Sequence, residues 1–183
     1  MDNLLPLQIP IKNGAICGVI SFLFFILCYH IGIFPYGNVN YLLFFLPIVF
    51  QILSIKAYRE NFGEGYSSFG EAFGMSMRTV LYAGSIYSSF AYAYTAFVVN
   101  DGFMQMLNTA MNESAEAMKP VVSEEFYKQT KEMVPYMTAG TAVFGDLLIK
   151  VIFGLVEALI LSAIFAKKAP YTPDTSEEEN DSE

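Results

Sequence analysis

The chain has 183 residues, of which 54% are hydrophobic, and a formal net charge of −8. That length holds one domain, the apolar fraction exceeds the soluble norm, and the acidic balance argues against nucleic acid as a partner. The charge is uneven, because six of the eighteen acidic residues lie between Asp174 and Glu183 with no base among them; such a tail, over 169–183, is expected to be solvated and disordered.

From Asn13 to Ile55 there is no Asp, Glu, Lys or Arg. A membrane-spanning helix needs roughly 20 predominantly apolar residues, so this run is too long for one span and fits two. Phe34-Pro35-Tyr36-Gly37-Asn38-Val39-Asn40 supplies the turn between them. The first two spans are therefore placed at 13–34 and 40–56. Lys12 is the only base ahead of the first, and no small-residue cleavage site ends it, so it reads as a retained helix rather than a signal peptide. Cys17 and Cys28 share a face of that helix but stand roughly 16 Å apart along its axis, which no disulfide bridges; they read as small packing residues. Gly14-x-x-x-Gly18 opens the helix with a motif for close helix approach, expected to act inside the monomer. His30, near its end, is the only histidine, with no acid, Cys or second His at ligand spacing. In the second span Pro47 frees a carbonyl, and Gln51, about a turn later, is placed to satisfy it.

Between 61 and 77, Phe62, Tyr66, Phe69, Phe73 and Met77 recur every three or four residues. Ser68 and Glu71 have the spacing of a capping box. The pattern predicts a short interfacial helix that bends into a third span at 77–99. That span carries Gly84, Ser88, Ala91 and Thr95 on one face, a seam along which a neighbouring helix can approach closely. Gly70-x-x-x-Gly74 precedes it. Tyr82, Tyr87, Tyr92 and Tyr94 crowd the same helix with hydroxyls that need partners when buried.

The segment 101–135 reads as two amphipathic helices separated by Lys119-Pro120. Phe103, Leu107, Ala110 and Met111 form a stripe at helical spacing in the first. Ser123 followed by Glu124 and Glu125 starts the second, with Phe126, Thr130, Met133 and Met137 as its apolar edge. The methionines of this loop lack the M-x-x-M clustering that concentrates copper ligands and suit apolar faces instead.

The last apolar stretch, placed as a fourth span at 139–166, carries Asp146, Lys150 and Glu157 on one narrow face with Gly154 and Leu161. Asp146 four residues ahead of Lys150 is the favourable order for a helical ion pair. With Ala166 at the inner boundary, Glu157 falls about 13 Å deep and Lys150 about 24 Å, close enough to the far surface to snorkel, with Asp146 at that interface. Glu157 is then the one deep acid. It has to be protonated, paired or wet, as a proton or ligand site or as hydrogen-bonded packing glue.

Lys12, Lys56, Arg59, Arg78, Lys167 and Lys168 fall on one side of such a four-span chain, and Lys119, Lys128 and Lys131 on the other. The positive-inside rule then places both termini in the cytoplasm and the 101–135 loop outside. There is no nucleophile elbow, phosphate-binding glycine loop, HExxH or paired-cysteine motif, so neither an enzyme nor a cofactor is implied.

An uncharged first helix pair, Phe69-Gly70-Glu71-Ala72-Phe73-Gly74 ahead of the third helix, an acidic amphipathic loop and Gly154-Leu155-Val156-Glu157-Ala158-Leu159-Ile160 closing on Lys167-Lys168 carry a family likeness. Over residues 10 to 168 the chain resembles the four-helix inner-membrane proteins of unknown function found mostly in Bacteroidota. The resemblance implies the fold and a bacterial inner-membrane address; it implies no activity.

The expectation is an all-α integral membrane protein, a single domain over 1–168 with the lipid bilayer as its surroundings. Two functions are read from the chain, the first as its reading and the second as the alternative. One is a non-enzymatic component that packs with itself, as a homo-oligomer, or with another membrane protein. The other is a small transport or permeation protein in which Glu157 lines a polar path with Lys150 and Asp146 nearer its mouth.

Overall fold

The computed structural model describes residues 5–167; Lys168 and the acidic segment expected to be disordered lie outside them. Six α-helices follow one another: α1 (Gln8–His30), α2 (Leu42–Asn61), α3 (Phe69–Phe97), α4 (Asn100–Met118), α5 (Glu124–Met133) and α6 (Ala139–Phe165). Short 3-10 turns at Asn38–Tyr41 and Val134–Tyr136 precede α2 and α6. Among the described residues there is no strand, only an isolated antiparallel bridge between Ser67 and Lys167. Helices α1 and α6, and α2 with its preceding turn, are long and apolar enough to cross a membrane.

The long helices pack as two parallel pairs. Gly14 and Gly18 of α1 meet Thr79, Tyr82, Ala83 and Ile86 of α3 in ascending order, so α1 and α3 run in the same direction. A Cβ on Gly18 would stand 2.7 Å from the Ala83 carbonyl oxygen, so glycine is what allows the two backbones to touch. Helices α2 and α6 also run together: Asn40 pairs with Asp146, Gln51 with Glu157, and Arg59 with the Phe165 carbonyl, each across 106 residues of sequence. The Ser67–Lys167 bridge ties the start of α3 to the end of α6, so the two pairs are antiparallel.

Helix α3 packs against α1, α2 and α6. Its buried face runs from Ala72 and Met75 through Ser76, Thr79, Val80, Ala83 and Gly84 to Tyr87, Ser88, Ala91 and Thr95. Small residues dominate it, which is how one helix fits among three others. The interfacial helix expected before the third span is instead the first turns of α3, continuous from Phe69. The capping box does start it: Ser68 accepts from the Glu71 backbone N–H while the Glu71 carboxylate accepts from the Ser68 N–H at 2.7 Å. Gly70 and Gly74 face open space, so this second GxxxG is not a packing seam. Helix α1 starts and ends several residues earlier than the hydropathy run places it, and α2 continues to Asn61, because a helix follows backbone hydrogen bonding rather than hydrophobicity alone.

Helices α4 and α5 cap one end of the bundle. Phe103 and Leu107 of α4 enter the core with Phe25, Tyr87, Ala91 and Val143. The Ser123 hydroxyl caps α5 by accepting from the Phe126 N–H. No residue of α5 is buried, and Phe126 and Met133 on its apolar edge are exposed. The sides of the bundle expose Leu23, Leu27, Phe45, Ile152, Ile160 and Ile164. An apolar surface that continuous suits lipid rather than water.

Candidate functional site

The polar residues of the long helices turn inward and stack in tiers along the bundle axis. The tier nearest the cap is built by α6 and the turn before α2. Asp146 and Lys150 are one helical turn apart on α6, and the Lys150 ammonium donates to the Asp146 carboxylate at 2.5 Å. Asn40 completes the set: its amide N–H donates to the other carboxylate oxygen at 2.6 Å, and its amide oxygen accepts from Lys150 at 3.0 Å. The ammonium also lies 4.3 Å from the ring centre of Tyr87 on α3, a favourable seat for a cation cut off from water.

Packing adds what depth along the helix could not give: the side chains of Lys150 and Asp146 are only 10% and 5% exposed, and Lys150 is held at the Asp146 carboxylate. Glu157, the acid expected to lie deepest along the helix, is half-buried. Depth along a helix says how far a residue lies from its end, but the neighbouring helix decides whether it is covered. Here Asn40 and Tyr87 cover the ion pair.

Glu157 forms the middle tier with Gln51 of α2, whose amide donates to the carboxylate at 2.8 Å. Gln51 is fully buried, and its own amide oxygen has no partner. Its amide hydrogen thus serves Glu157, where the sequence had assigned the side chain to the backbone freed by Pro47. The third tier, toward the chain termini, joins three helices. The Asn13 amide donates to Ser54 Oγ at 2.9 Å, Ser54 and Thr79 share a hydrogen bond of 2.7 Å, and Thr79 donates to the Met75 carbonyl.

Two cavities adjoin the ion-pair tier, and neither is lined by Glu157, Gln51 or the third tier. One, of about 580 Å³, opens beneath α4 and is lined by Tyr36, Asn40, Asp146, Met111, Thr141 and Phe153 among others. The second is about 30 Å³, space for roughly two waters, and lies between Cys17, Ser21, Tyr87 and Lys150. The ion-pair tier stands between them. The hydroxyls of Tyr36 and Tyr87 approach each other, and that of Tyr87 approaches Asp146. Neither makes a hydrogen bond of good geometry, and Ser76 and Ser88 are likewise buried without partners. A buried polar atom without a partner costs on the order of 1–3 kcal/mol, so several in one bundle mark a core suited to water or a polar solute.

The proposed seam on α3 points inward at all four positions. Gly84 abuts Leu147 of α6, where a Cβ would stand 2.8 Å from Cδ1, and Ser88, Ala91 and Thr95 are buried. The Thr95 hydroxyl is satisfied by the Ala91 carbonyl of its own helix. His30 pairs with the Tyr94 hydroxyl at 2.8 Å. Among the described residues no group of three or more His, Cys, Asp or Glu could hold a metal ion. Cys17 and Cys28 are buried free thiols.

Sequence reasoning found Asp146, Lys150 and Glu157 but missed Asn40, Tyr36, Tyr87 and Gln51 as their partners. One signal was available: Asn40 and Gln51 are spaced eleven residues apart, as are Asp146 and Glu157. Equal spacing of polar residues in two apolar helices is what parallel, in-register packing requires.

Together the apolar flanks and the polar interior define a helical bundle of membrane-protein type with a built ion pair in its core. The chain belongs to the family described as Protein of unknown function (DUF4199), which matches residues 12–167. No match was found among curated proteins or among solved structures.

Proposed function

We propose that this protein crosses a bacterial inner membrane four times, with both termini in the cytoplasm, and that its polar core binds and passes a small solute. The fourth crossing is α3. Because α2 and α6 run parallel, the chain must return along the bundle between them, and α3 has 29 residues, about 44 Å of helix. Its buried Ser76, Thr79, Tyr87, Ser88 and Thr95, turned toward the neighbouring helices, lower its hydropathy, as do Ser85, Ser89 and Tyr92 on its exposed side. The orientation rests on Lys12, Lys56, Arg59 and Lys167, which share the end opposite the cap. The cap of α4 and α5 then lies outside.

The observation that carries the solute reading is the Asp146–Lys150–Asn40 tier between two cavities, with unpartnered hydroxyls beside it. Replacing a buried ion pair by well-packed apolar residues is often neutral or stabilising, so packing alone gives little reason for one inside a membrane bundle. The reading is non-enzymatic. Its test is proton, cation and organic-amine flux through the purified protein in liposomes. Wild type is compared with Glu157→Gln and with the charge-neutral double variant Asp146→Asn, Lys150→Gln. Flux in the wild type that falls in the double variant supports the reading; no flux from folded wild-type protein refutes it.

A second reading is a membrane interaction component, packing with itself or with another membrane protein. It is favoured by α5, whose Phe126 and Met133 stay exposed within the monomer.

A further inference from the structure

The cap-side cavity combines aromatic and polar residues in its lining. Phe34, Tyr36, Tyr41, Phe44 and Phe153 line it beside aliphatic residues and methionines, and Asp146 and Asn40 belong to the same lining. Lys150 lines the small inner cavity instead. A molecule entering the cap-side cavity therefore meets an acidic residue set among aromatic ones. Such surroundings select an ammonium with an apolar body over an anion of the same shape.

Lys150 already holds an ammonium at that carboxylate from the inner side. Its position does not depend on Asp146 alone, because the Asn40 amide oxygen and the Tyr87 ring also hold it. The adjoining cavity of about 30 Å³, with Ser21 and Cys17 in its wall, gives it room to withdraw and to be met by water.

We propose that the cap-side cavity is a binding site for a small organic ammonium with an apolar body. Its charged head takes the place of Lys150 at Asp146, and Lys150 withdraws onto Asn40, Tyr87 and the inner cavity. The proposal rests on the solute reading above and names the solute's class. Lys150 acts as a tethered competitor that keeps the carboxylate paired while the site is empty.

The test is equilibrium binding of phenethylammonium to the full chain in nanodiscs of an uncharged glycolipid, by calorimetry, beside 2-phenylethanol and 3-phenylpropionate. The expected result is saturable binding of the cation, with the alcohol and the anion each about tenfold weaker or more. Asp146→Asn should lose the preference, and so should the double variant Asp146→Asn, Lys150→Gln, which keeps no buried charge and guards against a folding failure in the single one. Lys150→Gln should bind the cation several-fold more tightly, because the competitor is gone. Weaker cation binding in folded Lys150→Gln, or a preference for phenylpropionate in the wild type, overturns the proposal. Repeating the titration in phosphatidylethanolamine discs separates two sources of the same chemistry. Suppressed binding assigns the site to the lipid's amine head, and unchanged binding assigns it to a free amine. Cation binding without flux would sink the transport reading alone, whereas flux without cation binding would sink this inference alone.

Discussion

The ion pair in the core makes a quantitative demand on stability. Asp146 and Lys150 contact each other at 2.5 Å with side chains 5% and 10% exposed, and Asn40 bonds to both. Removing one charge leaves the other without its partner inside the bundle, which costs about 3–5 kcal/mol for a buried pair. Both single changes should fall at the lower end: Asp146→Asn leaves the Lys150 ammonium the Asn40 oxygen, the Tyr87 ring and the inner cavity, and Lys150→Met leaves Asp146 the Asn40 amide and a cavity that water can enter. The double variant strands nothing and should cost less than either single one, so the cycle is strongly non-additive. Unfolding in mixed micelles at neutral pH, followed by helix loss against added denaturing detergent, gives all three values. Single changes that each cost about 0.6 kcal/mol, the average for intramembrane hydrogen bonds, and that add in the double variant would refute the burial argued here.

Three further outcomes follow from the packing and the caps. Gly18→Leu should destabilise the bundle by about 1–3 kcal/mol or more, since its Cβ alone would meet the Ala83 carbonyl at 2.7 Å, whereas Gly74→Ala, facing open space, should stabilise by about 0.5–1 kcal/mol; thermal unfolding of the two variants side by side checks both. Gln51→Leu removes the side chain that donates to Glu157 and should cost about 1–2 kcal/mol, while Glu157→Gln can still pair with Gln51 and should cost less; equal losses in a micelle unfolding assay would count against the tier. At the start of α3 the Ser68 backbone N–H, then the Tyr58 and Ser68 hydroxyls, hold the Glu71 carboxyl below its ordinary value. Its contribution is therefore present above the unfolded carboxyl pKa of about 4.3 and is lost as pH falls through the lower folded value. Ser68→Ala should cost about 1 kcal/mol at neutral pH, and the wild-type advantage should shrink in acid; an advantage that grows on acidification would contradict the cap.

Several features were written in the chain itself. Long hydrophobic runs, charge-free across most of α1 and α2 and carrying three charged residues in α6, mark the three long apolar helices. The Pro-Tyr-Gly-Asn turn, the Ser68–Glu71 capping box and the Ser123 cap are local, so spacing alone reveals them. The shared face of Asp146, Lys150 and Glu157 follows from helical periodicity. What periodicity cannot supply is the neighbour. Burial of Lys150, the exposure of Glu157 relative to Asp146, and the choice of Gly14 and Gly18 over Gly70 and Gly74 as the seam all depend on which helix lies opposite. That is decided by contacts between residues scores of positions apart: the 106-residue register joining α2 to α6, and the backbone approach of α1 to α3. Sequence alone set the apolar helices and their inward charges; tertiary packing decided which charges meet, because pairing in a bundle is a property of two surfaces and not of one.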